Sequence, residues 1–465
     1  MIRATLSVII LLISSFLFAQ PDTDSDKKAE IIKQGWNFCP LPVLGFNSDL
    51  GFQYGACVDI FNFGDGTNYP GYNLKMNVEL STYTKGSSIL RFYSFWNNIV
   101  PKGRLFVDVA YFIDKKYDFF GYNGYASPYF QDIALISSGI DEYGITDVTI
   151  DNSGELRGGF NFFHRNQFRA IASLQKQMFD VKNLYLGLGI AYYNYDIHRI
   201  KISRYDNQLT LYDLYCESGL IREDEAGGGN VAQFKAGIVY DSKNYDNDPT
   251  RGIYFEGTFT AAPDLIDREG HGHLTFTMVF HHYVPLCGDR LTFCYRLGMQ
   301  NVLAGDIPFY AITNTNTLFF KKINTEAFGG VTTGRGINKN GVTGMGVAWM
   351  NVELRWRLIG FKFLNQNWMA AITPMFDAGM VTQSFRMEQQ KEAMALLETK
   401  YHFSGDATAA DIIYSGDDER LHCAAGCGIK LIMNRNVVIS ADFAKAFSPK
   451  DGGSLKSYIG FNYLF

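Results

Sequence analysis

The sequence predicts an all-β protein, a transmembrane antiparallel β-barrel of about sixteen strands. Three observations carry this prediction: an export signal at the N-terminus, serial apolar–polar alternation in segments of about ten residues, and an aromatic residue at the chain end. Aromatic residues make up 15% of the 465 residues, which suits strands with aromatic girdles at both membrane interfaces.

Residues 1–19 are a predicted signal peptide. Arg3 supplies a basic start, Ser7 to Phe18 is apolar, and Ala19 is the small residue at the expected cleavage point. The apolar run is too short for a confident membrane-spanning helix, although an uncleaved anchor is the alternative. We expect residues 20–46 to form a short periplasmic lead-in and residues 47–465 to form the barrel.

The charged face of the alternating segments is the informative one. Val352 and Leu354 alternate with Glu353, Arg355 and Arg357, which gives the period of two that is typical of a strand. A soluble β-sandwich alternates as well, so the alternation alone does not demonstrate a membrane. In a barrel too wide to be filled by aliphatic side chains, isolated inward charges of both signs line a wet lumen.

The predicted strands are separated by connections of very unequal length. Long loops are expected at 114–152, 202–230, 301–344 and 378–420, and a short helix is expected at 386–401. Such inequality is typical of barrels with short turns on one rim and long loops on the other. The strands are predicted near 50–62, 73–83, 87–97, 103–113, 154–164, 168–178, 183–200, 231–241, 252–262, 273–283, 290–300, 345–358, 367–377, 421–432, 436–446 and 456–465.

Composition and motifs argue against several functional classes. The net charge of −5 and the lack of a basic stripe disfavour nucleic-acid binding. The seven cysteines show no disulfide framework. No G-x-S-x-G or P-loop motif is present, so we expect no enzyme and no cofactor. A lipid hydrolase is the enzyme alternative, and it would need a Ser/His pair on adjacent strands. His271 and His273 are the nearest candidates for a metal site, and the alternative is that both are solvated histidines at the barrel rim.

The chain ends with aromatic residues at alternate positions, Phe461, Tyr463 and Phe465. We expect them to form an outward-facing aromatic row on the closing strand. The spacing resembles the terminal signal by which the barrel-assembly machinery recognises outer-membrane barrels for insertion.

Several segments, taken in order, resemble the BamA/TamA-like superfamily of bacterial surface antigen barrels. The matching segments are YDSKN at 240–244 with DPTRGIYF at 248–255, TGRGI at 333–337, MNVELRWRL at 350–358, FDAG at 376–379 and AGCGIK at 425–430, with the weaker YDFFG at 117–121 upstream.

The resemblance implies a sixteen-strand barrel whose long loop folds back into the lumen. The loop motif is then Gly334, Arg335 and Gly336, and Arg335 is expected to contact Asp377 or the strand face of Glu353. The alternative is an arginine in an ordinary Gly-rich turn. The period of two along residues 371–377 independently predicts that Asp377 points inward.

Members of this superfamily that insert or translocate proteins carry periplasmic POTRA modules. Only about thirty residues separate the predicted signal peptide from the first predicted strand, which is too short for such a module. We therefore expect a short outer-membrane member with an accessory role in protein or lipid assembly or translocation. Outer-membrane lipid, the barrel-assembly machinery and a separate periplasmic protein are the expected partners. A passive pore or a structural surface antigen is the alternative.

Overall fold

The computed structural model describes residues 32–128, 134–140, 145–151, 159–200, 208–318, 327–364, 366–403, 408–461, 463 and 465. Sixteen strands close a barrel in which each strand pairs antiparallel with the next barrel strand along the chain. The predicted fold class is therefore confirmed. The predicted signal peptide, residues 1–19, lies outside the described residues.

The barrel strands are β1 Trp36–Asn47, β2 Gly51–Asn62, β3 Leu74–Tyr83, β4 Ser87–Asn97, β5 Gly103–Asp118, β8 Phe162–Gln177, β9 Leu184–His198, β11 Gly228–Asp241, β12 Gly252–Ala262, β13 His273–Cys287, β14 Leu291–Gly305, β15 Gly346–Phe363, β16 Gln366–Gln383, β18 His422–Met433, β19 Val437–Ala446 and β20 Lys456–Phe461. The remaining strands are β6 Ala134–Ile140, β7 Thr146–Asp151, β10 Gln208–Leu209 and β17 Tyr401–Phe403. The α-helices are α1 Leu211–Glu217, α2 Glu223–Ala226, α3 Met387–Lys400 and α4 Ala410–Ile413.

The two faces of the wall differ in polarity as a membrane barrel requires. On β15, Trp356 is 48% exposed on the outside, whereas Glu353 and Arg355 are fully buried on the inside. Large apolar side chains such as Leu80 and Ile429 are likewise exposed on other strands. Exposed apolar side chains of this kind are typical of the lipid-facing surface of a membrane barrel.

The lead-in predicted at residues 20–46 is too long, because its last eleven residues belong to the barrel wall. Residues 36–47 form the first wall strand, β1, which pairs along its whole length with β2. The alternation of apolar and polar residues did not identify this strand, because Pro40 and Pro42 stand within it and proline is depleted in paired strands. The barrel therefore begins at Trp36 and not at residue 47.

The two strands predicted at 154–164 and 168–178 are one strand, β8 (Phe162–Gln177). The polar run around Asn166 suggested a turn, but its neighbours Arg165 and Arg169 are inward residues that pair with Asp114 and Asp108. The surplus strand offsets the missed β1, so the predicted count of sixteen agrees with the structure.

The long connections share one rim of the barrel. They span 119–161, 199–227, 306–345 and 384–421. They follow the fifth, seventh, eleventh and thirteenth strands of the barrel, which all run in the same direction and therefore end at the same rim. The other rim carries short turns and both ends of the described wall. The predicted asymmetry is confirmed, and the predicted helix at 386–401 is observed as α3.

Segments of three long loops form a second layer, which we call the cap. Its sheet has the order β10-β6-β7-β17, and its helices are α1 to α4. One aromatic and aliphatic cluster joins cap residues such as Leu135, Tyr215 and Leu397 to wall residues such as Phe163 and Tyr195. Among the described residues, no helix is long and apolar enough to cross a membrane.

Candidate functional site

The loop between β14 and β15 fills much of the lumen. We call its described parts, residues 306–318 and 327–343, the plug; most of their side chains are buried. The first arm contacts one wall, where the Leu318 amide donates to Glu256 and Lys235 Nζ donates to the Thr317 carbonyl at 3.2 Å. The second arm carries the Gly334–Arg335–Gly336 motif to the wall formed by β15 and β16.

Arg335 is enclosed by acidic groups. Its Nε and Nη2 donate to the two Asp377 oxygens at 2.9 and 3.0 Å, and its Nη1 donates to Glu353 at 2.7 Å. Its backbone N–H also donates to Asp377, at 2.9 Å. A guanidinium remains charged in proteins, so these charge-assisted bonds hold the plug tip against the inner wall.

The local sequence explains this placement. Asn351 of β15 is paired with Asp377 of β16, and odd-numbered residues of both strands face inward, which brings Glu353 and Asp377 to one patch. Gly336 has φ +90°, and a Cβ there would lie 2.9 Å from the backbone nitrogen of Lys445. A Cβ on Gly334 would lie 2.7 Å from the Phe328 ring. Both glycines therefore allow the close approach of the motif.

The ion pairs continue beyond Arg335. Arg355 pairs with Glu353 at 2.7 Å, and Lys430 pairs with Asp442 at 2.6 Å. Asp442 also lies 3.7 Å from Arg335. Positive and negative groups thus alternate across this wall. The expectation that Glu353, Arg355 and Arg357 line a wet lumen is wrong here, because all three are buried. Glu353 pairs with Arg335 of the plug, Arg355 bonds to Phe465 at the chain end, and Arg357 pairs with Asp248.

The aromatic chain end does not form the expected outward row. Phe461 is the last residue of β20, but Tyr463 and Phe465 are buried inside the barrel. Arg355 explains this: its guanidinium carbon lies 3.8 Å from the Tyr463 ring centre, and its Nη2 donates to the Phe465 carbonyl at 2.7 Å. The Arg355 guanidinium therefore holds the Tyr463 and Phe465 rings inside the barrel, away from the direction of β20.

The junction between β1 and β20, which we call the seam, is weakly paired. In the described residues the two strands are paired only at Phe46 with Ile459 and at Asn47 with Tyr458. One further backbone bond joins the Ser48 N–H to the Ser457 carbonyl at 3.1 Å. By contrast, all 12 residues of β1 pair with β2.

A cavity of about 220 Å³ lies behind the seam. Its inner lining is polar and charged, and its outer lining belongs to the apolar edges of the two seam strands. The charged residues are Asp59, Lys75, Glu79, Arg91, Asp246 and Asp442, and the apolar edge residues are Leu44, Phe46, Ile459 and Phe461. The cavity therefore has a polar interior and an apolar mouth.

The structure does not bring the two candidate histidines, His271 and His273, together as metal ligands. Among the described residues, one group has metal-ligand spacing, namely Asp224, Glu225 and His271. Arg222 already occupies it, with Nε 2.6 Å from Glu225 and Nη2 2.8 Å from His271 Nδ1. His273 uses its Nδ1 on the His271 backbone carbonyl at 2.8 Å. A second cation in this place would be repelled by the guanidinium.

Comparisons with known proteins agree with this architecture. The barrel superimposes on BamA from Haemophilus ducreyi lacking POTRA domains 1–3, with a TM-score of 0.51 at 14% identity, over 93% of this chain and 71% of that chain. It also superimposes on CdiB from Escherichia coli, with a TM-score of 0.53 at 9% identity, over 94% of this chain and 66% of that chain. The chain thus spans about two thirds of their length.

A search of curated protein sequences finds no significant match. No POTRA-like module is found within the part of the chain that the structure describes. Residues 155–463, more than half of the chain, match the family profile of the Omp85 superfamily domain. The chain therefore belongs to the Omp85 superfamily of outer-membrane β-barrels.

Proposed function

We propose that this protein resides in the outer membrane and assists the assembly or translocation of protein or lipid there, without catalysing a reaction. A separate periplasmic protein would deliver the client. The cell's barrel-assembly machinery would insert the chain by reading Phe461, Tyr463 and Phe465 before the last two residues turn inward. The observation that carries the proposal is the seam, together with the plug.

The plug and the seam favour different routes. Arg335 holds the plug tip with four hydrogen bonds to two buried carboxylates, which opposes passage along the lumen. The seam has two residue pairs in the described residues, so opening it breaks few backbone hydrogen bonds, whereas withdrawing Arg335 leaves two buried carboxylates without their partner. Opening the wall sideways at the seam therefore costs less than removing the plug, and it connects the cavity with the bilayer.

A reversible tether tests this route. In a background with all native cysteines changed to serine, Phe46→Cys with Ile459→Cys joins β1 to β20 across an observed residue pair. The oxidised protein should fail to restore the outer-membrane protein and lipid content of a deletion strain. Reduction of the disulfide should restore it, because the seam can open again.

The matched control places the same bond on the other edge of β1. Leu44→Cys with Tyr54→Cys joins β1 to β2, which are already paired at these positions. This variant should complement the strain in both redox states. Full complementation by the oxidised seam variant would contradict the proposal.

A passive pore or structural surface antigen is the second candidate. The cap favours it, because it presents a folded layer of helices and the sheet β10-β6-β7-β17 on the long-loop rim. A deletion strain with unchanged outer-membrane composition would favour this candidate over an assembly role.

A further inference from the structure

The edge of β1 at the seam lacks two hydrogen-bond donors. Ser48 donates its N–H to β20, whereas Gly35 donates its N–H to Gly64 on the β2 side. Because backbone groups alternate in direction along a strand, the even-numbered residues of β1 present their N–H and C=O groups to the seam. Pro40 and Pro42 are among these residues, and proline has no N–H.

The prolines coincide with the end of the seam. Extending the pairing of Phe46 with Ile459 places Leu44 opposite Phe461, and it places the two prolines opposite residues 463 and 465. Carbonyl groups at 463 and 465 would find no donor on β1. In the structure Tyr463 and Phe465 instead lie inside the barrel, where Arg355 binds the Phe465 carbonyl.

We propose that the seam admits a phospholipid with a zwitterionic headgroup, and not a β-strand. A client strand on β1 would leave carbonyls unpaired opposite Pro40 and Pro42, which is costly in hydrocarbon. An acyl chain brings no hydrogen-bonding groups of its own, so it adds no unpaired group to those that the β1 edge already presents. This inference rests on the proposed lateral route and specifies the substrate class.

The cavity matches such a lipid in polarity. Its apolar mouth at Leu44 and Phe46 suits acyl chains, and its volume of about 220 Å³ suits a headgroup. Inside, Lys75 Nζ lies 3.9 Å from the nearest Asp59 oxygen, which is long for a direct hydrogen bond and leaves the ammonium able to bind a phosphate.

The overall charge of the cavity selects among headgroups. Its lining carries two cations, Lys75 and Arg91, and four carboxylates. The excess of two negative charges favours a headgroup that bears an ammonium, such as ethanolamine, over a polyanionic lipid.

A native cysteine in the cavity provides the test. Cys57 lines the cavity, whereas Cys294 is fully buried on the inner face of the paired strand β14. Two single-cysteine proteins, each with the other six cysteines changed to serine, are reconstituted in phosphatidylcholine vesicles. The vesicles contain a phosphatidylethanolamine that keeps its free headgroup ammonium and carries a maleimide on one acyl chain, close to the glycerol. Cys57 should be labelled at least tenfold faster than Cys294, as measured by intact-protein mass spectrometry.

Restoring the missing donors should close the route. In the Cys57 protein, Pro40→Val with Pro42→Val supplies two backbone N–H groups at the seam. The new valine side chains face outward, where an apolar side chain suits lipid. Labelling by the lipid should fall at least fivefold, while the unheated protein keeps its folded mobility on a detergent gel. Unchanged labelling in this folded variant would overturn the role of the prolines.

Two other probes can overturn the substrate class. A water-soluble maleimide that labels Cys57 while the lipid does not would indicate an aqueous cavity. A peptide of residues 456–465 with an N-terminal maleimide mimics a client strand. If this peptide labelled Cys57 faster than the lipid does, a strand would be the favoured substrate. In either case the seam tether could still block assembly, so the inference would fail while the proposed function stands.

Discussion

The wall around Arg335 and the wall at the seam differ in strand pairing and in how their inward charges are paired. Around Arg335, β15 and β16 are paired over most of their length. Arg335 of the plug bonds to Asp377 and to one oxygen of Glu353, and Arg355 of the wall bonds to the other Glu353 oxygen. At the seam, two residue pairs join the strands, and a cavity with an excess of acidic groups lies behind them.

This contrast indicates where the barrel can move. Breaking a buried ion pair leaves an uncompensated charge, whereas parting two weakly paired strands exposes few backbone groups. Rigidity is concentrated on the plug side, so motion should be concentrated at the seam. Four substitutions test the contrast, in order of decreasing expected loss of stability.

Arg335→Ala should have the largest effect on the free energy of unfolding. It leaves Asp377 without its guanidinium partner in a fully buried place, which costs about 3–5 kcal/mol. Urea unfolding in lipid vesicles, followed by tryptophan fluorescence, measures the change. The exposed Arg251→Ala is the control, with an expected change below about 0.5 kcal/mol. Equal midpoints for the two variants would contradict the account of the plug.

Asp377→Asn should destabilise less, by about 1.5–3 kcal/mol, because the amide keeps the shape and some hydrogen bonding but loses the charge. Its effect should not add to that of Arg335→Ala, because the two groups share the same bonds. A double-mutant cycle on the same unfolding signal measures the coupling. Additive effects would mean that the observed contact contributes nothing.

Tyr458→Phe removes the acceptor of the Gly336 N–H, a single bond of 3.2 Å between the plug and β20. The expected loss is about 1 kcal/mol, and it should be local. Hydrogen–deuterium exchange should become faster in β20 but not in β16. Uniformly faster exchange in all strands would indicate that the seam and the plug wall are one rigid unit.

Asp180→Asn should have the smallest effect. Its pair with Lys102 joins two short turns at the surface, where the two side chains are 84% and 59% exposed. Exposed pairs contribute little to stability and are screened by salt. Unfolding midpoints at low and high salt should nearly coincide with those of the parent protein. A loss comparable with that of Asp377→Asn would show that burial is not the deciding factor.

The sequence predicted the wall better than the interior. Alternation with a period of two identified most strands, and parity assigned Asp377 to the inner face, where the structure has it. Strand β1 was missed because Pro40 and Pro42 break the pattern, although they are tolerated at an edge that lacks a full partner.

Tertiary contacts account for the other errors. The inward turn of Phe465 depends on Arg355, which is 110 residues away, so no local pattern could reveal it. Local composition likewise divided β8 at Asn166, although both neighbouring strands pair across that position.

Conductance in planar bilayers measures directly whether the plug closes the lumen. The intact protein should give small, flickering currents, and deletion of residues 327–343 should give large, steady currents through the emptied barrel. Large, steady conductance from the intact protein would contradict the account and favour a passive pore.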